Sequence, residues 1–169
     1  MSEHDSRWHS MPQPHILTWA APADHAALAD VIFDAVRNGP SKYTQAQRVA
    51  WVPERRSGPK WDARLAAKDI AIGRDGTHIT GLMSIEPGGY IDFAFIRPER
   101  QGTGLFRALF DMVEAHARAA REPRFWVHAS LTAEPAFAAV GFAVTERQIV
   151  QIAGQDFKRA LMEKTLIPI

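Results

Sequence analysis

The segment Ile-Asp-Phe-Ala-Phe-Ile-Arg-Pro-Glu-Arg-Gln-Gly-Thr-Gly-Leu-Phe-Arg-Ala-Leu-Phe, from Ile91 to Phe110, constrains the fold more than any other part of the chain. An apolar, strand-like run meets a turn carrying Arg97, Pro98, Arg100, Gly102 and Gly104. Helical spacing of Leu105, Leu109, Met112, Val113 and Ala117 then begins at once. A helix entered this way presents unpartnered first-turn N–H groups at the positive end of its dipole. Glycines at 102 and 104 let an anion reach that backbone, and Arg97, Arg100 and Arg107 add positive charge around it. The segment predicts a turn that binds phosphate or pyrophosphate; the plain alternative is a tight strand-to-helix link.

Two common nucleotide spacings fail. A G-x-G-x-x-G turn needs a small residue where Arg107 stands, and no Gly-Lys-Ser/Thr follows the turn. A second segment lies downstream: Arg124–Ser130 reads as a strand, and residues 132–142 as a short helix that closes on Gly141-Phe142, with Phe137 within it. Ile96, Pro98 and Gln101-Gly102-Thr103-Gly104-Leu105-Phe106, followed by Phe137 and Gly141-Phe142, resemble the two ordered motifs of the GNAT N-acetyltransferase superfamily. The resemblance covers roughly residues 15 to 166. It departs at Phe106, where the family has a small residue, and at Phe137, where many members carry a proton-donating tyrosine.

The resemblance implies an α+β fold, with a mixed, mostly antiparallel central sheet flanked by helices and two splayed central strands, 90–96 and 124–130. Acetyl-CoA, the implied co-substrate, would lie in the notch between them. Phe95 and Ile96 would offer backbone groups to its pantetheine arm, Gln101, Gly102, Thr103, Gly104, Leu105 and Phe106 would hold the pyrophosphate, and Phe137 would pack against the cofactor. The implied activity is N-acetyl transfer to a small-molecule amine. Acylation of a protein lysine or N-terminus, and a GNAT domain that binds acyl-CoA without turnover, are the alternatives.

Composition narrows the setting. The chain has 169 residues, enough for one domain over 15–169 behind a polar, aperiodic lead at 1–14 that reads as flexible. A formal charge of +1 argues against nucleic-acid binding driven by bulk charge. Cysteine is absent, which removes disulfides and thiolate catalysis and makes direct attack in a ternary complex the expected route. No apolar run reaches membrane-spanning length and no signal-peptide core is visible, so a cytoplasmic setting is expected. No histidine pair at i, i+4 with a nearby carboxylate suggests a metal site.

Periodicity places the other elements. A strand is expected over 15–20, a helix from Pro22 to Asn38, and two short helices between Tyr43 and Arg64. A hairpin over 69–85 should turn at Asp75-Gly76, and the chain should end in an antiparallel pair, 143–152 with 157–166, whose edge offers a surface for a homodimer. Strict alternation along 90–96 puts Tyr90 and Asp92 on one face, opposite Ile91, Phe93 and Phe95. The resemblance implies a base or an amine-binding carboxylate on that face, which makes Asp92 the expected proton acceptor or ammonium-orienting group, unless it pairs with an arginine; Tyr90 or Ser130 is the expected acid. His128 is either a proton shuttle or a packed histidine. Tyr43, Trp51 and Trp61 read as an aromatic wall for the acceptor, or as packing of the short helices onto the sheet.

Overall fold

The computed structural model describes residues 15–166; the 1–14 lead lies outside them. The chain runs β1 (Ile16–Trp19), α1 (His25–Asn38), α2 (Gln45–Trp51), α3 (Pro59–Ala66), β2 (Asp69–Asp75), β3 (His78–Ile85), β4 (Tyr90–Ile91), β5 (Ala94–Ile96), α4 (Leu105–Ala119), β6 (Arg124–Ser130), α5 (Glu134–Ala139), β7 (Ala143–Ile152) and β8 (Gln155–Thr165). This is the expected mixed α+β domain. One sheet has the order β1-β2-β3-β5 and is antiparallel; the other has the order β4-β6-β8-β7, with β4 and β6 parallel. The hairpin turn falls one residue later than expected. Asp75 pairs with His78, so Gly76 and Thr77 form it.

The two sheets share the segment 90–96, and a bulge divides it. Met83 pairs with Ala94, while Glu86 bridges Tyr90, so Ser84 and Ile85 face three residues, Ile91, Asp92 and Phe93. The fully buried Ser84 hydroxyl secures this irregularity by accepting the N–H groups of both Asp92, at 3.2 Å, and Phe93, at 2.8 Å. An extra residue reverses the side-chain alternation beyond it. Ile91 therefore lies in the core under α4, with Phe125 and Val127, whereas Phe93 lies in the core under α1 and α3, with Leu28 and Trp61. The expected grouping of Ile91 with Phe93 and Phe95 fails for this reason.

Helix α4 is seated by a gap in the sheet. Gly73 and Gly81 are cross-strand partners on β2 and β3, and the side chain of Leu105 fills the space between helix and sheet. A Cβ at Gly73 would stand 2.7 Å from Leu105, and one at Gly81 would stand 3.0 Å from it. Two adjacent glycines thus let the first turn of α4 sit close against the strands, which fixes where its N-terminus points.

Candidate active site

Beyond Ile91 and Val127 the parallel pairing of β4 with β6 stops. β5 instead continues along β3, so the facing edges of β5 and β6 separate. The opening is a cleft of about 420 Å³, a volume typical of small-molecule and cofactor sites. Ala94, Phe95 and Ile96 form one wall and Ser130, Thr132 and Ala133 the other, with Ala136, Ala139 and Val140 of α5 continuing it. The 100–107 turn closes one end, and Val36, Pro40, Ser41 and Trp51 also line the cleft.

The open strand edge supplies polar groups. Ser84 N–H donates to Phe93 O and Arg97 N–H to Thr80 O, so bonding toward β3 falls on odd positions and includes Phe95. The backbone groups of Ala94 and Ile96 consequently face the cleft, and Phe95 contributes its ring, 5.9 Å from that of Trp51. Ala94 was not among the residues expected from sequence, because the bulge sets which positions turn outward.

At the helix end, Gly104 occupies the N-cap with φ 88° and no side-chain cap. The first-turn amides of α4 have no partner inside the helix, and open space surrounds the Cα of Gly104. Gln101 does not point outward for the anion; its Nε2 donates to Ile96 O at 3.2 Å and ties the turn to the strand. Thr103 Oγ donates to Arg100 O, and Thr103 is not part of the cleft wall. Two of the three arginines expected to enrich this mouth are neutralised, Arg97 by Asp34 at 2.9 Å and Arg100 by Asp75. Arg107 lines the cleft, bonds only the carbonyl of Ala139, and has no carboxylate partner among the described residues. Uncapped amides, an exposed backbone and one unneutralised guanidinium suit a pyrophosphate.

The other expected site residues divide. Phe137 is 1% exposed, its ring 5.1 Å from those of both Phe106 and Phe142, so it is core beneath α5 rather than cleft wall. Asp92 is held by Arg64, through bonds of 3.1 and 3.0 Å, and by Lys68 at 3.2 Å. Its carboxylate oxygens are committed to these two cations, and it is not part of the cleft. The arginine-pairing alternative is the one observed. Tyr43 is buried, donates its hydroxyl to Lys158 O at 2.6 Å and accepts from Leu131 N–H at 3.1 Å, so it straps the α1–α2 connection to the second sheet. Trp61 packs against Phe93 in the core under α1. Of the three expected aromatics, Trp51 alone reaches the cleft.

Tyr90 and His128, which like Asp92 are not among the residues lining the cleft, come together beside its Ser130 wall. The Tyr90 hydroxyl lies 3.3 Å from His128 Nδ1, and the Tyr90 ring stacks on Trp126 with centroids 4.2 Å apart. Burial, then the charge of Asp92, pushes the Tyr90 phenol above its ordinary value. Burial, then the positive charge of Arg159, pulls His128 below the usual histidine range. The pair is therefore a protonated phenol beside a neutral imidazole near pH 7. Ser130, on the cleft wall, accepts Ala133 N–H at 3.1 Å and keeps its hydroxyl proton available.

Comparison with known proteins agrees with this geometry. A family model described as an acetyltransferase (GNAT) domain matches residues 41–165. The chain belongs to the GNAT acetyltransferase family. Acetyl-CoA is the co-substrate that this membership brings. The acetyltransferase is 29% identical over 143 residues to the uncharacterized N-acetyltransferase YafP of Escherichia coli K12, covering 83% of this chain and 89% of that protein. It is similar to a GCN5-related N-acetyltransferase from Rhodopseudomonas palustris, with TM-score 0.82, 25% identity, and coverage of 94% and 99% of the two chains. It also shares its fold with YncA of Salmonella typhimurium, a putative acetyltransferase solved with acetyl-CoA, at TM-score 0.64 and 19% identity, over 92% and 95% of the chains.

Proposed function

We propose that this enzyme moves the acetyl group to the amine of a small molecule by direct attack in a ternary complex, with Tyr90 and His128 as its proton relay. The observation that carries the reading is the 3.3 Å contact between the Tyr90 hydroxyl and His128 Nδ1 where the two central strands part. Bound acetyl-CoA would supply an acyl thioester, with a carbonyl open to attack and a thiolate leaving group. The backbone of Ala94 and Ile96 would bind the pantetheine amides as a neighbouring strand would, and one of these N–H groups would stabilise the carbonyl oxygen as it gains charge. The amides of residues 102–106 and the Arg107 guanidinium would hold the pyrophosphate.

The relay balances. The amine sheds one proton to solvent and attacks as the free base; as its nitrogen bonds the thioester carbon and the carbon–sulfur bond breaks, neutral His128 accepts the second amine proton, directly or through one water. Tyr90 donates its proton to the departing thiolate and recovers one from His128. Ser130 is placed to orient the acceptor, and Trp51 with Phe95 forms its apolar boundary. No cysteine exists to carry an acetyl-enzyme, which supports a single displacement. We place the reaction in the cytoplasm; the cysteine-free composition fits a reducing compartment, and among the described residues no helix is long and apolar enough to cross a membrane.

The test is a thermal-shift series with acetyl-CoA, CoA, ATP and NAD, followed by thiol release from acetyl-CoA across a panel of small amines. Ligand at 100 times its Kd stabilises a fold by about 2.7 kcal/mol, which is easily read. Protection by CoA and acetyl-CoA with amine-dependent thiol release is expected. CoA binding without thiol release from any small amine would overturn the small-molecule reading.

A further inference from the structure

One cation on the acceptor face has no counter-ion. Arg159 on β8 lies directly across from Ser130 of β6 on one side and from Gln148 of β7 on the other. It is half-buried, and its Nε donates to the neutral Gln148 Oε1 at 2.9 Å. Among the described residues no carboxylate pairs with it. Arginines on the two flanking strands are treated differently: Arg124 of β6 pairs with Glu163, and Arg147 of β7 with Glu134 at 2.8 Å. A half-buried guanidinium left with free terminal N–H groups is a ready receptor for a planar anion, which it grips with two parallel bonds.

Its position relative to the relay defines what such an anion would belong to. Arg159 opposes Ser130, and His128 lies two residues along the same face, so the two positions are diagonal neighbours about 7–8 Å apart. Its charge reaches both His128 and Tyr90, disfavouring protonation of the imidazole. It would act likewise on an ammonium brought to that place, favouring the neutral amine that attacks. A bound carboxylate would offset the charge of Arg159 in the complex.

We propose that the acceptor is a compact amino acid, whose carboxylate is received by Arg159 while its amine meets the Tyr90–His128 pair. The proposal rests on the reading that this face takes the acceptor. The short separation selects molecules whose amine and carboxylate are a few bonds apart, and disfavours long polyamines and uncharged amines.

The experiment compares matched acceptors that differ by the carboxylate alone: phenylalanine with phenylethylamine, tyrosine with tyramine, histidine with histamine, leucine with isopentylamine. We expect kcat/KM to favour the best carboxylated member by about ten- to a hundredfold, the discrimination of one charged hydrogen-bonded pair. In Arg159→Gln that ratio should fall toward one, and Arg159→Lys should restore part of it, which a purely structural role would not do. A wild-type preference for the decarboxylated amines, or equal losses on both members of each pair in Arg159→Gln, overturns the proposal. Melting shifts of the CoA complex with the same probes provide a readout free of turnover. If no amine is acetylated, the acetyl-transfer reading of this site fails by itself. The Arg159 proposal then stands if phenylalanine protects more than phenylethylamine in the wild type alone, and falls if they protect equally.

Discussion

The Tyr90 hydroxyl lies 3.3 Å from His128 Nδ1, joining two strands beside the last paired positions before they separate. Under the proposed relay, removing the phenol would leave the thiolate without its donor. Tyr90→Phe should therefore lower kcat by about 10²-fold or more, with little change in CoA affinity. Steady-state turnover alongside a CoA titration checks it; a Phe variant with normal kcat removes Tyr90 from the chemistry.

As the proposed base, His128 should set the acid side of the pH profile. Its pKa is lowered, first by burial and then by Arg159, so the imidazole stays neutral to a pH below the ordinary histidine range. As a base it works when neutral, so kcat should hold as pH falls past 6.5 and decline only below it. His128→Asn should lower kcat and abolish that limb. An acid limb unchanged in position in His128→Asn assigns it to another group.

Asp92 makes the contrasting case. Its carboxylate balances Arg64 and Lys68, and the Lys68 side chain is only 4% exposed. Asp92→Asn should cost about 1–3 kcal/mol in denaturant unfolding, from hydrogen bonds to charged groups, and, because its charge favours the His128 imidazolium, should move the acid limb only toward lower pH. A stable variant with collapsed turnover would return Asp92 to the mechanism.

The sequence carried the fold because each element announced itself locally: helical spacing in 105–117, alternation in 124–130, glycine and proline at the turns. It carried the cofactor turn for the same reason, since Gly104 and the helix after it are contiguous. It grouped Ile91 with Phe93 because one inserted residue, clamped by Ser84 beneath Asp92 and Phe93, reverses alternation within that strand. Nothing local marks that bulge. Likewise Arg64, Lys68 and Arg159 are far from 90–96 in sequence, so neither the neutralisation of Asp92 nor the isolation of Arg159 was visible. Gly73 and Gly81 read as ordinary hairpin residues until Leu105 is seen between them.

Gly104 has φ 88°, and nothing lies within 4 Å of the place a Cβ would take. A glutamate there fits sterically, at a strain of about 1–3 kcal/mol for a non-glycine residue in this conformation, and places a carboxylate where the pyrophosphate would sit. Gly104→Glu should stay folded and lose CoA binding by calorimetry. Retained affinity in the folded variant would move the anion site elsewhere.

The packing of Leu105 against Gly73 and Gly81 links stability to cofactor binding. A Cβ at Gly81 would already stand 2.8 Å from Ile96 and 3.0 Å from Leu105, so Gly81→Val must push α4 off the sheet. Overpacking of this kind costs about 1–3 kcal/mol. Because the displaced turn carries the first amides of α4, CoA affinity should fall with stability. Leu105→Ala relieves the crowding, and the double variant should recover CoA affinity relative to Gly81→Val. Absence of recovery would show that the loss arises from Ile96 instead.

Phe137 occupies the place where related enzymes often carry a tyrosine, yet it is 1% exposed and enclosed by Phe106 and Phe142. A hydroxyl added there enters an aromatic core with no partner, at a cost of about 1–3 kcal/mol. Phe137→Tyr should therefore melt earlier and gain no turnover. The sharper comparison is the double variant Tyr90→Phe with Phe137→Tyr. If the thiolate draws its proton from the face of Tyr90, the new phenol is on the wrong side of α5 and kcat stays as low as in Tyr90→Phe. Recovery of kcat would mean that α5 can turn residue 137 into the cleft, and that the proton reaches the leaving group from α5 instead of from the β4–β6 junction.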